Sequence, residues 1–118
     1  MKALIFIAHG SKKELSNNEF KSMVENIKSK DKKYDFIESS FLEIALPSIE
    51  DSTKKLIEKG AKEISFYPFF LNSGKHVAID IPNIIKNLQK QYPNISFFPL
   101  EHFGKSRYIE DIILKDIS

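Results

Sequence analysis

Three histidines and one glutamate carry most of the chemistry that this 118-residue sequence offers. His9 ends the apolar run of "LIFIAHGSKK" (4–13), His76 closes "NSGKH", His102 follows "SFFPLE", and Glu43 closes "SSFLE". The chain has no cysteine. It therefore has no thiolate nucleophile, disulfide framework or sulfur metal site, and imidazole and carboxylate are the strong metal ligands that remain. Nitrogen and oxygen donors suit divalent cobalt, nickel, iron or zinc, and the affinity order does not choose among them. A solitary histidine after a strand is more often a hydrogen-bonded loop residue than a ligand, so what matters is whether the chain's elements bring several donors together.

Residues 2–8 (KALIFIA) form a continuous apolar run, the pattern of a strand covered on both faces. From Ser16 the period changes: Phe20, Met23, Val24 and Ile27 fall at i, i+3, i+4 and i+7, one stripe of a helix that ends in "KSKDKK". A second strand is expected over 34–43 and a second helix over 47–60, with Pro47 in its first turn, Gly60 at its C-terminal cap, and Ile49, Thr53, Leu56 and Ile57 inward. A third strand over 62–71 precedes the loop "NSGKHVA", after which Asp80 is expected to cap a helix carrying Ile81, Ile84, Ile85 and Leu88. A fourth strand over 94–100 and a helix over 106–118, with Ile109, Ile112 and Ile113 inward, complete four βα units.

Alternating elements of this length predict an α/β fold: a four-stranded parallel sheet with helices on both faces, flavodoxin-like, with all strand-to-helix loops along one edge. His9, His76 and His102 each follow a strand, and Glu43 follows the remaining one. If the strand order is 2-1-3-4, His9 and His76 sit on neighbouring strands, about 4.8 Å apart at the backbone, with Glu43 on the other flank. Gly10 and Gly74 are expected as turn residues with positive φ. With no linker or repeat, residues 1–118 read as one domain. Four strands give little cover for faces and edges, which points to a homodimer.

The net charge of +2, from 18 basic and 16 acidic residues, is too balanced for a protein whose main work is neutralising a nucleic-acid backbone. Arg107 is the single arginine, so bidentate guanidinium recognition is available at one place. The N-terminal apolar run is too short for a signal peptide, and no run is long enough to span a membrane, so a cytoplasmic protein is expected. "NSGKH" is not a phosphate loop: Phe69 stands where the first glycine belongs, and His76 where the metal-binding hydroxyl belongs. Neither a dinucleotide-binding glycine fingerprint nor a nucleophile elbow is present.

Three blocks, "HGS" (9–11), "FLEIALPSI" (41–49) and "PFFLNSGKHVAIDIP" (68–82), resemble in order and spacing the small single-domain sirohydrochlorin chelatases, the CbiX type of class II tetrapyrrole chelatase. The resemblance runs the length of the chain. It implies insertion of cobalt or iron, in some relatives nickel, into sirohydrochlorin on the route to cobalamin, siroheme or a nickel tetrapyrrole, without ATP and with no cofactor beyond the divalent metal substrate. His9 and His76 match the family's metal-binding histidines, and Glu43 matches the acid of its "F-x-E" block; Glu43 is the candidate base or transient ligand. Lys75 stands where the family often has glycine, "FGKS" (103–106) replaces a loop that often carries a histidine, and His102 matches no family ligand.

The substrate carries many carboxylates. Ser11, Lys12, Gly74, Lys75 and Arg107, with Lys13 and Lys105 nearby, are the candidate substrate-binding residues at the loop edge. A non-catalytic flavodoxin-like module that carries a metal or an anion is the competing expectation.

Overall fold

Five consecutive buried residues, Ala3 to Ile7, make the first strand, β1 (Lys2–Ala8), the centre of the molecule. Successive side chains of a strand point to opposite faces, so this run feeds two cores at once. Ala3, Ile5 and Ile7 face one cluster, and Leu4 and Phe6 face the other. The computed structural model describes residues 1–118. Its other elements are α1 (Glu14–Lys30), β2 (Phe36–Phe41), α2 (Ile49–Glu58), β3 (Glu63–Pro68), α3 (Ile81–Gln91), β4 (Ser96–Pro99) and α4 (Ile109–Ile117).

The four strands are parallel, in the expected order β2-β1-β3-β4. On one face α1 buries Phe20 and Val24 against Leu4, Phe6, Ile37 and Phe41, with Met23 and Ile27 at the margin. On the other face α2 and α3 bury Ile49, Leu56, Ile81, Ile85 and Leu88 against Ile5, Ile7, Ile64, Phe66 and Phe97. Removing each such side chain from water contributes about 1.5–3 kcal/mol. The predicted helical stripes and the buried residues agree for these three helices because each stripe meets a sheet face.

Local signals set the boundaries of α2. The Ser48 hydroxyl accepts from the Asp51 N–H at 3.1 Å, so the helix is capped one residue after Pro47, which stands just before the helix and not in its first turn as expected. At the other end Gly60 takes φ +104, its N–H donates to the Ile57 carbonyl, and the Ala61 N–H donates to that of Leu56. This is the paired bond of a glycine-terminated helix.

Three further expectations need correction. Asp80 does not cap α3: the chain is already helical from His76, in a five-residue π turn (His76–Asp80) closed by the Ile81 N–H on the His76 carbonyl. Asp80 has helical φ/ψ of −64 and −50 and makes no cap bond. Gly74 does not have positive φ, whereas Gly10 does, at +99. Nor do Ile112 and Ile113 point inward. They are 45% and 51% exposed, and no residue of α4 is buried. Periodicity locates an apolar stripe but does not supply the surface it packs on. No helix is long and apolar enough to cross a membrane.

Candidate metal centre

The β1–β2 ladder continues past both strand ends and carries the candidate ligands with it. The Leu42 N–H donates to the Ala8 carbonyl at 2.8 Å, and the Glu43 N–H donates to the His9 carbonyl at 3.1 Å. Glu43 is thereby set beside His9. The chain then doubles back in a tight turn, with the Ala45 N–H on the Glu43 carbonyl at 2.8 Å and Ile44 at φ +72. A β-branched residue in the left-handed region is strained, and such strain persists where surrounding structure enforces it. Here Gly10 packs from the other side so closely that a Cβ on it would lie 2.0 Å from the Glu43 carbonyl oxygen.

His76 arrives from β3, the other neighbour of β1, on the π turn. Its ring lies 4.8 Å from that of His9, centroid to centroid, and 6.4 Å from Phe70. One ligand atom from each of His9, Glu43 and His76 lies within 4.8 Å of the others. The side chains remain 41%, 53% and 38% exposed, so the cluster is open to solvent.

The hydrogen bonds orient both imidazoles. The Asp80 carboxylate, which can only accept, lies 2.8 Å from His76 Nδ1, so Nδ1 carries the proton and Nε2 is left to face Glu43, 4.0 Å from its Oε1. In His9, Nδ1 donates to the Gly10 carbonyl at 3.0 Å, and Nε2 meets Glu43 Oε1 at 2.9 Å. Both nitrogens of His9 thus face acceptors, and a cation bound at Nε2 would take the place of the Glu43 contact. Two imidazole nitrogens and a carboxylate on one side, with the other side open, form a site that can hold a divalent cation while leaving coordination positions free.

The remaining candidates are not among the three residues that converge. Ser11 is tied into the start of α1: its N–H donates to Asn17 Oδ1, its carbonyl accepts from Asn17 Nδ2, and its hydroxyl accepts from the Lys13 N–H. Ser11 and Lys12 line a cavity with Asn18, Lys21 and Ile44. Gly74 and Lys75 lead into the π turn, and a Cβ on Gly74 would meet nothing within 4 Å. Arg107 donates to the Tyr108 hydroxyl and stacks over that ring. Lys105 reaches Glu101 at 3.7 Å. His102 lines a separate cavity beside Pro68, Lys86 and Pro99, outside the cluster. Sequence reasoning missed Asp80 as the partner of His76, because the i, i+4 spacing becomes a signal only once both residues stand in one helical turn.

The CbiX family model matches residues 3–118. The chain is 31% identical over 110 residues to the chloroplastic sirohydrochlorin ferrochelatase of Arabidopsis thaliana, a match covering 93% of this chain and 48% of that protein. It is 32% identical over 114 residues to the sirohydrochlorin cobaltochelatase of Sulfolobus acidocaldarius, covering 96% of this chain and 87% of that one. Among solved structures, the sirohydrochlorin chelatase SirB from Bacillus subtilis subspecies spizizenii, in complex with cobalt, superposes with a TM-score of 0.87 at 27% identity, covering 98% of this chain and 50% of that one. The chain thus spans about half the length of the Arabidopsis protein and of SirB.

Proposed function

Because the chain belongs to the CbiX family, we propose that it inserts a divalent metal into sirohydrochlorin, cobalt or iron first and nickel as a third candidate. The observation that carries this reading is the convergence of His9, Glu43 and His76 at the open end of the sheet. ATP takes no part, and no cofactor beyond the metal substrate is needed, because a tetrapyrrole gains four nitrogen ligands as the cation leaves its protein donors. The pathway served is of the cobalamin or siroheme type. Residues 1–118 act as one chelatase domain in the cytoplasm and pair as a homodimer.

The two imidazoles hold the cation from one side, so ring nitrogens replace its remaining waters one at a time. Two pyrrole N–H protons must leave as the metal enters. Glu43 is the base that receives them one at a time and passes each on to solvent: its side chain is 53% exposed, and a cation on His9 would free its Oε1 from the ring it bonds. Lys12, Lys75 and Arg107, with Ser11 and Gly74, engage the substrate carboxylates around the centre. The position of Ser11 and Lys12 in one cavity beside the Glu43 turn supports this assignment for that pair.

Mixing the purified chain with sirohydrochlorin and Co²⁺ or Fe²⁺ tests the reading. The tetrapyrrole absorption bands should shift to those of the metal complex faster than in the protein-free mixture. A rate no greater than the uncatalysed one would leave a metal-carrying module instead. Run metal by metal, the same assay orders cobalt, iron and nickel.

A further inference from the structure

We propose that Asp80 is a positioning residue that makes His76 the anchoring ligand of the centre and leaves His9 as the ligand that lets go when the cation moves on. The proposal rests on the metal-insertion reading and adds an order to it. The two imidazoles meet the cluster with the same nitrogen but are backed differently. His76 Nδ1 donates to a carboxylate at 2.8 Å, whereas His9 Nδ1 donates to the peptide carbonyl of Gly10 at 3.0 Å.

A charged acceptor makes the stronger hydrogen bond and leaves the far nitrogen more electron-rich, so a carboxylate-backed imidazole is the better metal donor. Asp80 is held in place by the fold. It ends the π turn that begins at His76, its side chain is 30% exposed, and it makes no cap bond to α3 that would explain it otherwise. No lysine or arginine pairs with it; its ion-pair partner is His76. His9 has a rival instead, since Glu43 Oε1 sits 2.9 Å from its Nε2, in hydrogen-bond contact with the atom the cation must take. A cation handed to a macrocycle must lose its protein donors in sequence, and the neutrally backed, carboxylate-challenged His9 goes first.

The test uses the full chain, with Co²⁺ alone as the probe. In metal-free protein labelled with ¹⁵N at histidine, long-range proton–nitrogen spectra should show His76 protonated at Nδ1, and Asp80→Ala should shift that ring toward the Nε2–H form. Co²⁺ dissociation constants should rise about 10–100-fold in Asp80→Ala. Asp80→Asn, which keeps the shape and removes the charge, should weaken binding by a smaller factor, and it provides the measurement if the alanine variant does not fold. His76→Ala should weaken Co²⁺ binding more than His9→Ala. An unchanged tautomer with unchanged Co²⁺ affinity in a folded Asp80 variant overturns the proposal, as does a larger loss from His9→Ala. A wild-type chain that binds no Co²⁺ sinks the metal reading itself, so the two failures are told apart.

Discussion

At the scale of single residues, His9, Glu43 and His76 are close enough to share one cation but differ in what else holds them. His9→Ala or His76→Ala should bring the insertion rate down to that of the protein-free mixture, read from the tetrapyrrole bands. Both rings are about two-fifths exposed, so circular dichroism and the unfolding midpoint should stay near wild type. Glu43→Gln keeps the volume but removes the base, and the insertion rate should fall by about 10²-fold or more, with a smaller change in Co²⁺ affinity. His102→Ala should leave the rate close to wild type, because His102 lies in another cavity; equal losses in all three histidine variants would show the cluster to be misassigned. The residue types and their strand-end positions were legible in the sequence. Asp80 was not, since an aspartate ahead of "IPNIIKNL" reads as a helix cap, and only the π turn reveals that its carboxylate faces back to His76.

At the scale of elements, the centre depends on one close approach between turns. Gly10 takes φ +99, and a Cβ on it would overlap the Glu43 carbonyl oxygen at 2.0 Å. Gly10→Ala should therefore displace the Glu43 turn, lower the unfolding midpoint and weaken Co²⁺ binding at least as much as removing the Glu43 carboxylate. The strain of a non-glycine residue there costs about 1–2 kcal/mol before the clash is counted. Gly74→Ala is the matched control: with an ordinary φ and open space around its Cβ, it should change neither midpoint nor affinity. If Gly10→Ala bound Co²⁺ as tightly as wild type, the fixed approach of the two turns would not matter to the centre. The parallel sheet was legible because β1 is an unbroken apolar run and each of α1, α2 and α3 carries a stripe at helical spacing. The turns were legible only in part. Glycine announces a left-handed position at Gly10 and Gly60, but nothing in the sequence announces Ile44 at φ +72, a conformation imposed by its neighbours rather than chosen by its side chain.

At the scale of the whole molecule, the sheet is covered unevenly. On the face that holds Leu4 and Phe6, α1 packs over β1 and β2, while the neighbouring half, over β3 and β4, leaves Phe98 and Leu100 44% and 40% exposed. The stripe of α4 is also bare, with Leu114 60% and Ile117 74% exposed beside Ile112 and Ile113. Two unpartnered apolar surfaces on one small chain are costly in water, and a second copy offers each of them the kind of surface it lacks. The proposed homodimer therefore places α4 in the interface. Sedimentation equilibrium should give twice the 13.6 kDa chain mass for the wild type. Ile113→Glu with Ile117→Glu should give the single-chain mass while keeping the helical circular dichroism, because neither side chain is buried within one chain. A wild type that sediments as a single chain at tens of micromolar would overturn the homodimer. A double variant that still pairs would move the interface off α4, onto the sheet half that carries Phe98 and Leu100.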